Sequence, residues 1–386
     1  MKHLGDITKI NGAEIAPVDV VIGGSPCQDL SVAGKRAGLA GARSGLFMEQ
    51  IRIVKEIRDE TNGTRPRFMV WENVPGAFSS NRGEDFAAVL EETIHVIEPE
   101  APHINVPEQG WPTWGQYRDV GGRWSVAWRV FDAQYWGVPQ RRRRIAFVAD
   151  FGGSAAGEIL FNRKSVSRDS EPCGETRKGA AAGIESGADY AVAHGTGRSH
   201  VPLTMRYRSF GDYKPSEQAS TLKARNTPDN SDVVCETRTF TNPSYGGYRE
   251  ADIAGTCAQR DYKSARDLVL EKYVRRLTPL ECERLQGFPD GWTDIGDWTD
   301  SKGRTRKTSD ASRYKALGNS IALPPWKWVL KRLCAEYERD ATMGSLFDGI
   351  GGFPLIWEQL NGKGSCLWAS EIEEFCIAVT QRRFGG

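Results

Sequence analysis

The sequence predicts an α/β fold, a doubly wound and mostly parallel sheet carrying an inserted β-rich segment. Three observations predict it. Over the first 150 residues, short apolar runs alternate with stretches of helical periodicity, the pattern of strands joined through helices. Near residue 151 the composition shifts, and residues 151–275 are rich in Gly, Ser, Thr, Arg and Asp with little helical periodicity. After 276 the helical pattern returns, and the chain ends in a fresh β-α-β unit over 343–386.

The elements follow in order. Val18-Asp19-Val20-Val21-Ile22 is an apolar run that ends in Gly23-Gly24, a strand leading into a tight turn. Residues 44–59 place Leu46, Phe47, Ile51, Val54 and Ile57 at helical spacing, with Ser44 as the expected N-cap. Residues 67–71 and 144–148 read as further strands. In 324–337 the positions Trp326, Val329, Leu330, Leu333, Cys334 and Tyr337 form one apolar stripe, and Pro324-Pro325 suits the first turn of that helix. In the last unit a strand at Leu346-Phe347 enters a glycine-rich turn, a helix runs to about 361, a strand at 366–369 ends at Glu371, and a final helix runs to about Arg383. The inserted segment contains a repeat. Ser209-Phe210-Gly211-Asp212-Tyr213-Lys214 matches Ser244-Tyr245-Gly246-Gly247-Tyr248-Arg249 at an offset of 35, and the same offset pairs Thr221 with Thr256 and Val234 with Val269. Two copies are too few for a solenoid, so a duplicated β-rich unit is the expectation.

Composition bounds the function. The chain has 386 residues, enough for two domains or one large domain with an insertion. Lys+Arg number 51 against 50 Asp+Glu, so any surface for nucleic acid has to be local. No apolar run approaches the roughly 18 residues of a membrane helix, and the first residues lack a signal-peptide pattern. The eight cysteines contain no C-x-x-C pair, which points to reduced thiols in a cytoplasm, without a disulfide framework or a metal site.

Four constellations carry chemistry. Phe347-Asp348-Gly349-Ile350-Gly351-Gly352 joins a strand to a helix, and Glu371 ends the next strand 22 residues after Gly349. Glycines at such a turn let the backbone approach a nucleotide, and a carboxylate there can accept ribose hydroxyls. A plain tight turn is the bland alternative. Gly23-Gly24-Ser25-Pro26-Cys27-Gln28 puts a thiol at the carboxyl end of a strand, where parallel sheets build active sites, although a lone cysteine is more often structural. The glycine-rich stretch 31–45 that follows reads as a loop able to close over a ligand. Trp71-Glu72-Asn73-Val74-Pro75 caps another strand with an acid suited to proton transfer. Pro139-Gln140-Arg141-Arg142-Arg143-Arg144 enters a strand in which alternation places Arg142 and Arg144 on one face and Arg141 and Arg143 on the other. A solvated charge run is the bland reading of those arginines.

Together these blocks resemble the signature blocks of the DNA cytosine-5 methyltransferases. Gly5-Asp6-Ile7, Leu317-Gly318-Asn319-Ser320 and residues 276–289 resemble further blocks of that family. Seven blocks spread over nearly the whole chain, and the 151–275 segment alone falls outside them, as the variable recognition region of that family would. The order departs from the usual one: the Phe-Asp-Gly-Ile-Gly-Gly block, ordinarily first, stands last. Joining residues 384–386 to residues 1–6 restores the usual order, so a circular permutation is expected. The domains are then a first catalytic part over 1–150, a target-recognition domain over 151–275, a return to the catalytic domain over 276–342, and a displaced cofactor unit over 343–386.

The resemblance implies a fold of the S-adenosylmethionine-dependent methyltransferase type and transfer of a methyl group from that donor to C5 of cytosine, leaving S-adenosylhomocysteine. Phe347, Gly349, Gly351 and Gly352 would form the cofactor turn, with Ile7, Pro26, Asn319 and Ser320 around it. Glu371 would hold the ribose, Ile372 would pack on the adenine, and Asp6 would meet its amino group. Cys27 would add to C6, protonated Glu72 would hydrogen-bond N3, Arg144 would hold O2, and Arg142 would orient the cysteine loop or a phosphate. The target base would be flipped out of double-stranded DNA. Gln28, Ser31, Lys35, Arg36 and Arg43 would close on that DNA, and Arg206, Arg208, Arg225 and Arg260 would read its major groove. A monomer in a bacterial cytoplasm, host-encoded or phage-encoded, with a possible cognate restriction endonuclease, completes the expectation. The rivals are an RNA cytosine-5 methyltransferase, a DNA-binding relative without activity, and a nicotinamide-dependent oxidoreductase read from the glycine turn alone. The last leaves the Pro-Cys-Gln and arginine blocks unexplained.

Overall fold

The computed structural model describes residues 1–26, 45–138, 140–161 and 277–385 in full, and the backbone of five strands between them. Strands β1 (Lys2–His3), β2 (Val20–Gly23), β3 (Phe68–Asn73), β4 (Trp114–Arg118), β5 (Ser125–Asp132), β6 (Arg143–Asp150), β14 (Met343–Leu346) and β15 (Cys366–Ser370) form one eight-stranded sheet in the order β1-β15-β14-β2-β3-β6-β5-β4. The pairings from β1 to β3 are all parallel, and those from β3 to β4 are all antiparallel. The mostly parallel sheet is therefore as expected, with an antiparallel edge. Strands β4 and β5 went unread in the sequence; β4 is an exposed edge with no clean alternation.

Residues of the central strands are buried on both sides, which explains their unbroken apolar runs. Val20, Ile22, Phe68 and Val70 face one core, whereas Val21, Met69 and Trp71 face the other. The second core is covered by α1 (Leu46–Glu60) and α2 (Glu84–Ile94). The first is covered by α3 (Ala156–Leu160), α4 (Pro279–Gln286), α5 (Asp310–Asn319), α6 (Leu323–Cys334), α7 (Gly352–Asn361) and α8 (Glu374–Phe384). Helix α1 matches its expected span, but its N-cap is Gly45, without a side-chain cap, and Ser44 lies outside the described residues. Pro324 and Pro325 occupy the first turn of α6, as their missing N–H groups allow.

The unit at the end of the sequence is bound to the beginning. Asp19 is 3% exposed and accepts two hydrogen bonds from Arg339, at 2.6 and 2.9 Å, and others from the amide and hydroxyl of Thr342. The Trp368 ring crosses Gly344, where an added Cβ would lie 2.2 Å from it. Gly344→Ala is therefore expected to unseat that ring and lower the melting temperature by several degrees, a loss that differential scanning calorimetry would register.

Strands β7 (Leu203–Ser209), β8 (Asp212–Ser216), β9 (Val233–Thr241), β10 (Arg249–Glu250) and β11 (Asp267–Arg276) form a separate sheet in which β11 pairs with β9. A shift of 35 residues carries β8 across β10 and β9 onto β11, so the strands keep the register of the sequence repeat. Strands β12 (Asp297–Thr299) and β13 (Thr305–Lys307) form a small hairpin. No helix of the described residues is long and apolar enough to cross a membrane.

Candidate active site

Two turns meet where β14 and β2 lie side by side, with Leu346 in register with Gly23. Both turns leave the carboxyl ends of their strands, and β15 and β3 end at the same edge of the sheet.

At the β2 end, Ser25 is held from the neighbouring strand. The Trp71 indole donates to its hydroxyl at 3.0 Å, and the Asn73 amide donates to its carbonyl at 3.1 Å. Trp71 and Asn73 share one face of β3, and Glu72 takes the opposite one. The sequence reading missed Trp71, Asn73 and Ser25. The period-two spacing of 71 and 73 around a strand-end acid was the available signal. Gly24 is needed for space: a Cβ there would sit 2.9 Å from Glu72 Oε2. Pro26 is exposed, and the chain passes from it to Cys27. Cys27, Gln28, Ser31, Lys35, Arg36 and Arg43 lie outside the described residues, as do Arg225 and Arg260, and Arg206 and Arg208 are placed only as backbone in β7.

Glu72 and Arg144 are brought together. Arg144 Nε lies 2.7 Å from Glu72 Oε1, both side chains being largely shielded from water. Antiparallel pairing sets Glu72 opposite Ala146, so Arg144 is its diagonal neighbour on the same face. In this arrangement the acid and the arginine hold each other through Glu72 Oε1 and Arg144 Nε.

Arg142 corrects its expectation. Alternation does place it on the face of Arg144, but it is buried and cannot meet a phosphate. Its guanidinium donates to the carbonyls of Gly318, at 3.1 Å, and Ser320. The side chain of Gln286 donates to the neighbouring Leu317 carbonyl. Together they cap the carboxyl end of α5, which leaves Asn319 exposed and Ser320 buried. Burial, with Arg144 alongside, pushes the Arg142 guanidinium down to about 9, so it remains a cation near neutrality.

The β14 end holds a nucleotide-type turn. Phe347 adopts φ 55°, a strained conformation for a side-chain-bearing residue, and Gly349 and Gly351 have φ 57° and 79°. The three glycines are not equivalent. An added Cβ would meet Phe384 at Gly351 and Ile321 at Gly352, so these two serve packing within the protein. Only Gly349 faces open space. Glu371 follows β15, as expected. Its Oε2 accepts from the Gly349 amide at 2.8 Å, and its Oε1 accepts from the amides of Ile372 and Glu373. Ile372 is 72% exposed, an apolar side chain left open beside that carboxylate. Asp6 accepts from the backbone and hydroxyl of Thr8, which hold its carboxyl below the usual range and so keep it anionic. The Ile7 side chain is in the core, and Arg52 donates to its carbonyl at 3.1 Å.

The family model for C-5 cytosine-specific DNA methylases matches residues 1–96 and 116–335. The chain belongs to that family. The match leaves out the β14–α8 unit. Among relatives of this chain, a protein of Escherichia phage P1 named DNA N-6-adenine-methyltransferase is 30% identical, over 88% of this chain and 56% of its own length. Type II methyltransferase M1.ScrFI of Lactococcus lactis subsp. cremoris is 27% identical, over 87% of this chain and 67% of its own. The chain thus spans little more than half of the phage relative. The solved S. pombe Dnmt2 methyltransferase is 18% identical over 86% of this chain and 83% of its own, with a TM-score of 0.42.

Asp348, in the same turn, is a buried acid that the sequence reading passed over. It is 5% exposed, its Oδ1 accepts from the Ser345 hydroxyl at 2.6 Å, and its Oδ2 has no partner. Burial, reinforced by Glu371, pushes its carboxyl up to about 7. A raised value in the folded state means that folding holds a proton the unfolded chain releases. Wild-type stability therefore falls as pH rises from the ordinary carboxylate range to about 7, and is flat in this respect above it. Asp348→Asn keeps an acceptor for Ser345 and removes the titration. Its melting temperature is expected to gain on wild type across that window and hold a constant lead above it. An equal difference at both ends of the window would refute the assignment.

Proposed function

We propose that this chain transfers a methyl group to C5 of cytosine within a specific sequence of double-stranded DNA. The observation that carries the reading is the junction of β14 and β2, which sets a nucleotide-type turn beside the turn leading to Cys27, with Glu72 and Arg144 at the next strand end. Open α/β sheets bind their ligands at such a point.

The residues present fit S-adenosylmethionine. Gly349 leaves space, Glu371 offers an oriented carboxylate for ribose hydroxyls, Ile372 an open apolar surface for a purine, and Asp6 an anion for an exocyclic amine. Phe347 and the exposed Asn319 border the same edge. When bound, that group supplies an electrophilic methyl. The residues supply the rest. Cys27, as thiolate, forms a bond to C6 while the electron pair of the C5–C6 double bond moves toward the ring carbonyl and N3. Glu72, protonated, donates to N3, and Arg144 meets O2. C5 is then nucleophilic and takes the methyl. Loss of its proton to a base, for which water suffices, restores the double bond and expels the thiolate. The target carbon lies inside a stacked duplex, so the base must leave the stack.

The strand order supports a permuted arrangement. Counted from β14, the first five strands lie in the order 3-2-1-4-5, that of a doubly wound nucleotide-binding sheet, whereas counted from β1 they do not. The family match, which stops at 335, is consistent with a displaced last unit. Transfer to adenine N6, which the name of the phage relative suggests, is the second reading. Attack by an exocyclic amine needs no thiol nucleophile, and nearly half of that relative lies beyond what this chain spans.

A duplex carrying 5-fluorocytosine at the target tests the chemistry, because fluorine blocks the final elimination. With S-adenosylmethionine, wild type is expected to form a complex that survives denaturing electrophoresis, and Cys27→Ala none. Methyl transfer to ordinary DNA without such a complex would remove the covalent step.

A further inference from the structure

The chain leaves the catalytic fold at Phe161, the end of α3, and re-enters at Leu277, before α4. Helix α3 has only five residues, too few to be stable alone. Yet its last carbonyls are all taken. The Phe161 amide donates to Gly157. Arg332 of α6 donates from Nε to Ile159 at 2.8 Å, and from Nη2 to Phe161 at 3.2 Å and to Glu158. Arg129 of β5 donates to Leu160 at 3.2 Å. Both guanidiniums sit over rings, Arg332 over Trp328 at 4.8 Å and Arg129 over Phe131 at 5.2 Å, which fixes their planes. The Phe161 ring meets Trp114 edge-on. At re-entry the Tyr314 hydroxyl of α5 donates to the Leu277 carbonyl at 2.6 Å, and Thr278 with Glu281 closes a capping box.

We propose that Arg332 is a positioning residue for sequence discrimination, setting the direction in which the chain departs toward 162–276, with Tyr314 fixing its return. This rests on the reading that the inserted segment selects the DNA sequence. The geometry goes beyond helix capping. One arginine engages three carbonyls across the last turn and the exit residue, so both the position and the heading of the chain are constrained. The two clamps lie on consecutive helices, and the residues joining those helices include Ser320, beside the exposed Asn319 of the cofactor edge.

The test uses the full chain and Arg332→Met, which keeps the packing on Trp328 and removes the donors. It measures methylation of a duplex bearing the recognised sequence and of duplexes with one base pair changed, together with calorimetric binding of S-adenosylmethionine. The variant is expected to bind the cofactor within about twofold of wild type, to show about a tenfold higher KM for the recognised duplex with kcat changed less, and to discriminate less against the altered duplexes. Tyr314→Phe is expected to shift the same quantities in the same direction. Wild-type discrimination and KM in Arg332→Met would overturn the proposal. So would a matching loss of cofactor affinity, since that marks a general loss of structure. Wild type that methylates every duplex equally would instead overturn the underlying reading of the inserted segment, and the proposal with it.

Discussion

Glu72→Gln is expected to reduce methyl transfer by about 10²–10⁴-fold, the range for loss of a positioned acid, while cofactor binding stays within about twofold. The amide keeps the shape of the side chain and can still accept from Arg144, so the fold has no reason to fail. What it loses is the carboxyl that the proposed mechanism has donating to N3. Because Arg144 lies 2.7 Å from Glu72, the two substitutions should be strongly coupled. Arg144→Gln alone leaves a carboxylate without its cation, and the double variant should be little worse than the weaker single one. Single-turnover rates for the three variants decide this. Additive losses would mean that the two groups act independently and that their ion pair is incidental.

The second large effect falls on stability. Arg142→Met is expected to cost about 3–5 kcal/mol, because it leaves the buried carbonyls of Gly318 and Ser320 without their donor and exchanges a fixed fork for a flexible chain. The carboxyl end of α5 should loosen first, and with it Asn319. Denaturant unfolding should show a lower midpoint, and calorimetry a weaker cofactor affinity than in Glu72→Gln. A variant as stable as wild type but unable to bind DNA would restore the phosphate-contact role that burial argues against.

Much of this was legible in the residues because the same patterns that bury strands also end them on chemistry. The apolar run before Gly23, the strand before Glu72 and the strand before Glu371 each stand where expected, and alternation sorted Arg142 and Arg144 from Arg141 and Arg143. Other features depended on contacts between distant segments. The depth of Arg142 was not legible, because spacing gives a face and not a depth, and its partners at the end of α5 are 176 and 178 residues away. Gly351 and Gly352 were read as making room for a ligand, when Phe384 and Ile321 occupy the space that a side chain would need. Asp348 escaped notice inside a glycine motif, although its isolation from solvent is what gives it a proton near neutrality.

The central claim, methylation at C5 of cytosine through Cys27, is tested most directly by expressing the chain, with Cys27→Ala as control, in a bacterium that lacks DNA methylation of its own. Genomic DNA is then digested to nucleosides for mass spectrometry, and a second sample is sequenced after bisulfite treatment. The account predicts 5-methylcytosine confined to one sequence context, absent from the control, with no N6-methyladenine. N6-methyladenine without 5-methylcytosine, or 5-methylcytosine undiminished in Cys27→Ala, would contradict it.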